Sequence, residues 1–245
     1  MRYTAKTDIG QKRKNNEDSY FAKIYDEDIA LYIVADGLGG YNSGEVASKL
    51  AVKLVVENFE HNLNLLKSSS EDQVKSFFEQ LIHITNEKVY EVQSNNEKYS
   101  GMGTTAVIVS VINNKIYYTS IGDTRIYYIN DEKTVIKQVT TDDTYVNELL
   151  RKKLIKADEA INHPQKHVLT KAIGIFEKVE VKTQILNKEN GYLILCSDGL
   201  TNMLNNKEII NVMRTNQFSK LSDVYVNLSN ENGGSDNITV IVVEL

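Results

Sequence analysis

Five aspartates in this 245-residue chain lie in turn-like segments next to short apolar runs, and they constrain the fold more than any other feature. A buried carboxylate is unfavourable unless it is paired or bound to a cation. Several carboxylates at neighbouring strand ends would also repel one another, and hard divalent cations prefer such oxygen ligands. The chain is therefore expected to assemble one metal centre from distant segments. The candidates are Asp18, Asp36, Asp123, Asp198 and Asp236.

The composition is that of a globular protein and gives no signal for a nucleic-acid or membrane partner. Hydrophobic residues make up 41% of the chain, and the net charge is −5, which does not favour nucleic acid. No apolar run approaches the roughly 20 residues that cross a bilayer, so we expect no membrane insertion. The single cysteine, Cys196, excludes an internal disulfide and fits a cytoplasmic location. Because no composition break divides the chain, residues 1–245 are expected to form one domain.

Helical and strand patterns occupy separate stretches of the sequence. Apolar residues spaced three or four apart predict helices over 45–59 and 73–92, with two more near 207–213 and 221–231. Apolar and β-branched runs predict strands over 30–35, 104–112, 115–121, 125–129, 135–139, 192–196 and 238–243. Asn113-Asn114 is typical of a hairpin turn, and tight turns join antiparallel strands. Two antiparallel sheets packed together with helices outside would bury both kinds of apolar face, which predicts an α+β fold.

Each motif that could bind a metal or a phosphate also has a purely structural explanation. An Asp-Gly pair after a strand, as at Asp36 and Asp198, often forms a simple turn. Asp236 follows two glycines and could act as a local cap. Arg13 lies in a run of charges that is usually solvated, yet its planar guanidinium could bind a phosphate through two parallel hydrogen bonds. Two cations held by carboxylates beside one arginine would make a site for phosphoester hydrolysis.

Short motifs occur in a fixed order nearly from one end of the chain to the other. They are GQKRKNNED at 10–18, VADGLGG at 34–40, SGEVAS at 43–48, GMGTT at 101–105, IGDTR at 121–125, HP at 163–164 with LTKAIG at 169–174, LCSDGL at 195–200 and GGSDNITV at 233–240. As an ordered set, they resemble the metal-dependent protein serine/threonine phosphatase family, the PPM or PP2C type, in its compact bacterial form.

The resemblance implies both a fold and an activity. The fold would be a four-layer α-β-β-α sandwich, with two antiparallel sheets flanked by helix pairs and a flap excursion near 142–171. The activity would be hydrolysis of phosphoserine and phosphothreonine esters on proteins by a metal-activated water, which reverses serine/threonine kinase signalling. Phosphorylated proteins would be the substrates, a cognate serine/threonine kinase would be a partner, and the chain would be a monomer.

The resemblance also implies the metal ligands. Asp36 would bridge two Mn²⁺ or Mg²⁺ ions, and the carbonyl of Gly37 would bind one of them. Asp198 and Asp236 would complete the protein ligands of the second core ion. Asp123 would hold a weaker third ion beside Asp198.

Four further residues would support the reaction around these ions. Glu17 and Asp18 would orient metal-bound waters, with help from Asn237, and Arg13 would bind the substrate phosphate. The expected catalytic set is Arg13, Asp18, Asp36, Asp198 and Asp236.

The chain departs from the family pattern at three places. Tyr41 stands where bacterial relatives often carry histidine, so no general acid is assigned there, and a metal-bound water is the expected proton donor. The flap segment reads Asp-Asp-Thr at 142–144 in place of Asp-His-Ser, and His167 and Lys171 replace the usual Asn and Arg. Although His163 and His167 are four residues apart, the proline between them argues against a helical metal pair. No expected metal ligand is replaced, which argues against the alternative, a catalytically silent binding or sensor module with the same fold.

Overall fold

The computed structural model describes residues 1–40, 43–161, 163–187 and 189–245. Its strands are β1 (Arg2–Asp8), β2 (Asp18–Asp26), β3 (Ile29–Leu38), β4 (Gly103–Ile112), β5 (Lys115–Ile121), β6 (Arg125–Asn130), β7 (Ile136–Gln138), β8 (Gln184–Leu186), β9 (Gly191–Cys196) and β10 (Ile238–Glu244). Its α-helices are α1 (Ser43–His61), α2 (Leu63–Ser68), α3 (Glu71–Ser94), α4 (Tyr145–Arg151), α5 (Ala157–Ile161), α6 (Asp198–Thr201), α7 (Asn206–Thr215) and α8 (Leu221–Glu231).

The strands form two five-stranded antiparallel sheets. The first has the order β1-β10-β9-β6-β7 and the second has the order β2-β3-β4-β5-β8. In the second sheet, Asp18 pairs with Asp36 across β2 and β3, and Asp36 pairs with Thr105 across β3 and β4. This register brings two of the predicted functional carboxylates side by side at one end of the sheet.

Three apolar layers hold the two sheets and the helices together. Between the sheets, residues such as Tyr32, Val107 and Ile241 form a shared core. The outer face of the second sheet packs against α1 and α3 around Phe59, and the outer face of the first packs against α7 and α8 around Tyr225. The result is the four-layer α-β-β-α sandwich, which confirms the predicted fold class.

Local sequence signals fix several of these elements. Ser70 caps α3 in a capping box, in which its hydroxyl accepts from the backbone of Gln73 and the Gln73 side chain accepts from the backbone of Ser70. Asn113 and Asn114 have φ values of 49° and 64°, as a two-residue hairpin between β4 and β5 requires. The predicted helices and central strands are found with shifts of a few residues at their ends.

The strands that the sequence did not reveal lie at sheet edges. β1 and β2 are edge strands, and both carry polar or charged residues at many positions, so neither shows an apolar run. The three-residue strand β8 closes the other edge of the second sheet. Edge strands are half exposed and commonly carry charges that discourage further pairing. In the part of the chain with assigned structure, no helix is both long enough and apolar enough to traverse a lipid bilayer.

Candidate active site

The carboxylates predicted to act together lie at strand ends from both sheets. Asp18 begins β2 and Asp36 lies near the end of β3, whereas Asp198 follows β9 and Asp236 precedes β10. Asp123 lies in the turn between β5 and β6. All except Asp18 line one cavity of about 290 Å³, whose wall also includes Arg13, Glu17, Gly37, Thr105, His167 and Asn237. The fold therefore brings together residues separated by more than 200 positions in sequence.

The crowding of negative charge is visible in the pKa values of the cluster. Burial, together with the charges of Asp18, Asp198, Asp123 and Asp236, raises the pKa of Asp36 well above its ordinary value. Burial and the charge of Asp198 raise the pKa of Asp123 to about 7, and burial and Asp236 raise the pKa of Asp198. Deprotonating the cluster is therefore costly unless a positive charge lies among the carboxylates.

Asp18 lies behind the cavity and connects the two sheets. It is 5% exposed, and its Oδ2 accepts hydrogen bonds from Ser197 Oγ at 2.7 Å and from Thr239 Oγ1 at 2.6 Å. Despite these bonds, burial raises the pKa of Asp18 to about 7. Sequence reasoning missed Ser197 and Thr239. A polar residue inside the otherwise apolar strand β10 was the available signal for Thr239.

Arg13 lies at the rim of the carboxylate cluster. Its Nη2 donates to Asp236 Oδ2 at 2.7 Å, and its side chain is half exposed. The guanidinium thus lies beside a predicted ion ligand and within the same cavity as Asp36. Its donors can reach an anion placed between these groups.

Asn237 fixes the segment that carries Arg13 and Glu17. Its Oδ1 accepts from the Glu17 backbone N–H at 2.8 Å, and its Nδ2 donates to the carbonyls of Ile9 and Asn15, both at 2.8 Å. Asn237 is 4% exposed, so these bonds are protected from water. Its contacts place it in a structural role, joining the 9–17 segment to β10.

Gly37 is required by a close approach of backbone segments. A Cβ atom at this position would lie 2.2 Å from the Gly44 carbonyl oxygen and 2.6 Å from the Glu17 carbonyl oxygen. The Gly37 N–H donates to that same Glu17 oxygen at 3.1 Å. Glycine is therefore needed to bring the end of β3, the start of α1 and the 9–17 segment together.

The residues present fit hard divalent cations. Asp18 Oδ1, Asp198 Oδ1 and Thr105 Oγ1 are buried oxygens with no hydrogen-bond partner among the described residues, and such atoms are unfavourable unless a ligand satisfies them. The other Asp198 oxygen accepts from Asn202 Nδ2 at 3.0 Å, a contact that sequence reasoning also missed. Within the ranges that the structure describes, no three histidine, cysteine, aspartate or glutamate side chains form a group able to hold an ion. Mg²⁺ commonly binds one or two carboxylates and keeps several waters, so this spacing remains compatible with such ions.

The turn that carries Asp123 is joined to the flap segment by two sets of contacts. Arg125 donates to Asp142 through Nε at 3.1 Å and through Nη2 at 2.7 Å. The Gly122 N–H donates to Asp143 Oδ2 at 3.2 Å, and the Asp143 N–H donates to the Gly122 carbonyl at 2.8 Å. The start of the flap is therefore fixed to the rim of the site.

The two flap histidines have different surroundings. His163 Nδ1 accepts from the Gln165 N–H at 3.1 Å, and its ring lies 6.2 Å from that of Tyr145. His167 instead lines the 290 Å³ cavity and a second cavity of about 340 Å³ that reaches under the flap. Tyr41, where no general acid was assigned, lies outside the described residues.

Comparison with known proteins gives a consistent result along the whole chain. The family model described as "Protein phosphatase 2C" matches residues 10–240. The serine/threonine phosphatase stp of Listeria monocytogenes serotype 4b is 34% identical over 241 residues, which cover 98% of this chain and 94% of that protein. The protein phosphatase PhpP of Streptococcus pneumoniae is 35% identical over 248 residues, covering 100% and 98%.

A solved structure extends the comparison to three dimensions. The catalytic domain of the serine threonine protein phosphatase PstP, in complex with two manganese ions, superposes with a TM-score of 0.82 at 27% identity. The match covers 99% of this chain and 97% of that one.

Proposed function

The chain belongs to the protein phosphatase 2C family and is a metal-dependent protein serine/threonine phosphatase, and from this premise we propose which residues perform the reaction. The observation that carries the proposal is the meeting of Asp36, Asp123, Asp198 and Asp236 in one cavity beside Arg13. A cavity of about 290 Å³ accommodates a phosphate group, and its anionic wall would be neutralised by divalent cations.

In the proposed site, Asp36, Asp198 and Asp236 with the Gly37 carbonyl would hold two core ions, and Asp123 and Asp198 would hold a weaker third ion. Mn²⁺ and Mg²⁺ are the candidate ions, because the ligands are all oxygen atoms. The related PstP structure that contains two manganese ions supports the two-ion core. Bound cations would lower the pKa of water and neutralise charge on the attacked phosphate.

The remaining roles belong to the protein side chains. Arg13 would rotate from Asp236 to the phosphate oxygens and hold the ester in place. Glu17 and Asp18 would accept hydrogen bonds from waters beside the ions and so orient the attacking one. Asp18 is suited to this role because its free Oδ1 is held in place by the bonds that Oδ2 receives from Ser197 and Thr239.

The biological setting follows from the same chemistry. The substrates are phosphorylated proteins, and a serine/threonine kinase that makes them would be the cognate partner. A monomeric state, a cytoplasmic location and a single domain over 1–245 with a flap at 142–171 stay predictions. Nothing in the sequence or the fold favours the silent binding module, because the predicted carboxylates and Arg13 are all present.

Release of phosphate from a phosphothreonine peptide tests the proposed site. We expect turnover with Mn²⁺, none after chelation, and a loss of at least about 100-fold in Asp36→Asn, since that change replaces a carboxylate that would hold the core ions with a neutral amide. Asp131→Asn, in an exposed turn outside the cavity, makes the same chemical change and should retain activity. Equal activity of Asp36→Asn and wild type would refute the assignment of the site.

A further inference from the structure

Hydrolysis of a phosphoserine or phosphothreonine ester needs a proton for the departing oxygen. An alkoxide is a strong base and leaves slowly unless a nearby acid protonates it. Most side chains of the catalytic cavity cannot act as this acid. A guanidinium such as that of Arg13 keeps its protons, and carboxylates that bind cations are deprotonated. The proton must therefore come from a group other than Arg13 and the ion-binding carboxylates.

His167 is the cavity residue whose chemistry meets this need. Imidazole is the side chain that changes protonation closest to neutral pH, which makes it an effective general acid. His167 lines the same 290 Å³ cavity as Asp36, Arg13 and Asp198. No other histidine lines that cavity in the described part of the chain.

The position of His167 suits the leaving side of the ester. In phosphoryl transfer the attacking and leaving oxygens are roughly in line on opposite sides of the phosphorus. The attacking water would lie toward Asp36 and the buried Asp18, so the leaving oxygen would point toward the open side. His167 is exposed, and it borders both this cavity and the 340 Å³ cavity under the flap, through which the protein part of the substrate can extend.

The backbone around His167 is fixed at the base of the flap. The Val168 N–H donates to the Gln165 carbonyl at 3.1 Å, and the Tyr145 N–H donates to the Val168 carbonyl at 2.8 Å. Leu169 pairs with Thr144 as an isolated β-bridge. Because the Asp142–Asp143 segment is in turn bonded to the Asp123 turn, the backbone that carries His167 is connected to the rim of the carboxylate cluster.

We propose that His167 is the general acid that protonates the leaving serine or threonine oxygen. In this step the water oxygen forms a bond to phosphorus, and the bond between phosphorus and the side-chain oxygen breaks with its electron pair. The proton of the imidazolium passes to that oxygen and gives the free alcohol. The proton lost by the attacking water restores the imidazolium, so the products are the dephosphorylated protein and phosphate. This role rests on the proposed phosphatase site.

Leaving groups of different basicity provide the test. Wild type, His167→Gln and the matched flap variant His163→Gln are compared on a phosphothreonine peptide and on p-nitrophenyl phosphate, with Mn²⁺ present. The nitrophenolate leaves readily without a proton, whereas the threonine alkoxide needs a proton to leave. In His167→Gln, kcat for the peptide should fall about 100-fold or more while kcat for p-nitrophenyl phosphate changes less than about threefold. His163→Gln should keep the wild-type ratio between the two substrates.

Two controls make the result decisive. Thermal unfolding and calorimetric Mn²⁺ binding should be the same in His167→Gln and wild type, because the side chain is exposed and is not a predicted ligand. Equal losses on the two substrates, or a raised KM without a fall in kcat, would overturn proton donation and assign His167 to phosphate binding. Unchanged kcat on both would overturn any catalytic role. Failure of the wild type to hydrolyse either substrate would instead overturn the proposed site and, with it, the role of His167.

Discussion

Replacing Asp18 with asparagine should stabilise the cation-free protein near neutral pH. The carboxylate of Asp18 is buried, accepts bonds from Ser197 and Thr239, and experiences the charges of Asp198 and Asp236. Asparagine has nearly the same shape and keeps a carbonyl oxygen for the two hydroxyl groups, but it carries no charge. The change therefore removes one source of repulsion while the local packing is retained.

The sign and size of this effect follow from the pKa of Asp18. Burial raises that pKa from an ordinary 3.8 to about 7, so the folded state keeps a proton that the unfolded state has already lost. The free energy of unfolding of the cation-free wild type should therefore fall as the pH rises through this window. At about 1.4 kcal/mol per pKa unit the full loss is on the order of 4 kcal/mol, and more than half of it falls between pH 5 and pH 7.5.

Urea unfolding followed by circular dichroism measures this difference directly, because urea is uncharged and leaves electrostatic interactions unscreened. Wild type, Asp18→Asn and the exposed control Asp131→Asn are unfolded with a chelator present at both pH values. The stability of Asp18→Asn relative to wild type should be greater at the higher pH than at the lower one, by roughly 2 to 3 kcal/mol. If the free energy of unfolding of Asp18→Asn changed with pH as much as that of wild type, the reasoning would be refuted. The control Asp131→Asn should show the same pH dependence as wild type.

Three other variants test contacts that support the site. Gly37→Ala would place a Cβ 2.2 Å from the Gly44 carbonyl oxygen, so its thermal midpoint should fall by several degrees. Gly40→Ala, whose Cβ would have no atom of the described residues within 4 Å, should unfold like wild type. Asp142→Ala would leave the partly buried guanidinium of Arg125 without its carboxylate partner, so the free energy of unfolding measured in urea should fall by about 3 kcal/mol. Little change would mean that the ion pair is only a surface contact. Ser70→Ala removes a capping box and should cost about 1 kcal/mol in the same assay, and an unchanged midpoint would contradict that role.

The parts of the fold that sequence could predict are those whose signals are local. The hairpin at Asn113 and Asn114 depends on residues within a few positions and occurs as predicted, and the cap at Ser70 is set by an equally local pattern. β1 and β2 were missed because edge strands have a solvated side and their apolar residues do not form a continuous run. The spacing of apolar residues along the sequence indicates a helix or strand only where one face of that element, or the whole element, is buried.

In the candidate site, too, the features with local sequence signals were predictable and the contacts between distant residues were not. The aspartates were predicted individually because each lies in a recognisable turn, and the structure brings Asp36, Asp123, Asp198 and Asp236 to one cavity. The bonds from Ser197 and Thr239 to Asp18 join residues 179 and 221 positions apart, and no local pattern encodes such distances. A residue's neighbours across the two sheets depend on register and packing, which only the folded structure supplies.

The placement of the carboxylates means that cations bound at the proposed site would contribute to the stability of the sandwich. Asp18 and Asp36 belong to the second sheet, whereas Asp198 and Asp236 lie at strand ends of the first. Repulsion between these pairs pushes the sheets apart, while the apolar layer around Tyr32 and Ile241 holds them together. The hydrogen bonds that Asp18 receives from Ser197 and Thr239 also cross between the sheets, yet its pKa remains raised, so hydrogen bonding alone does not offset the burial of its charge.

A cation between the two pairs of aspartates would attract both pairs and so replace their repulsion with attraction. A ligand that binds only the folded state stabilises that state, and the stabilisation grows with the logarithm of the ligand concentration once this concentration exceeds Kd. Ions that assemble the catalytic centre should therefore also tighten the contact between the sheets, because the same aspartates serve both purposes.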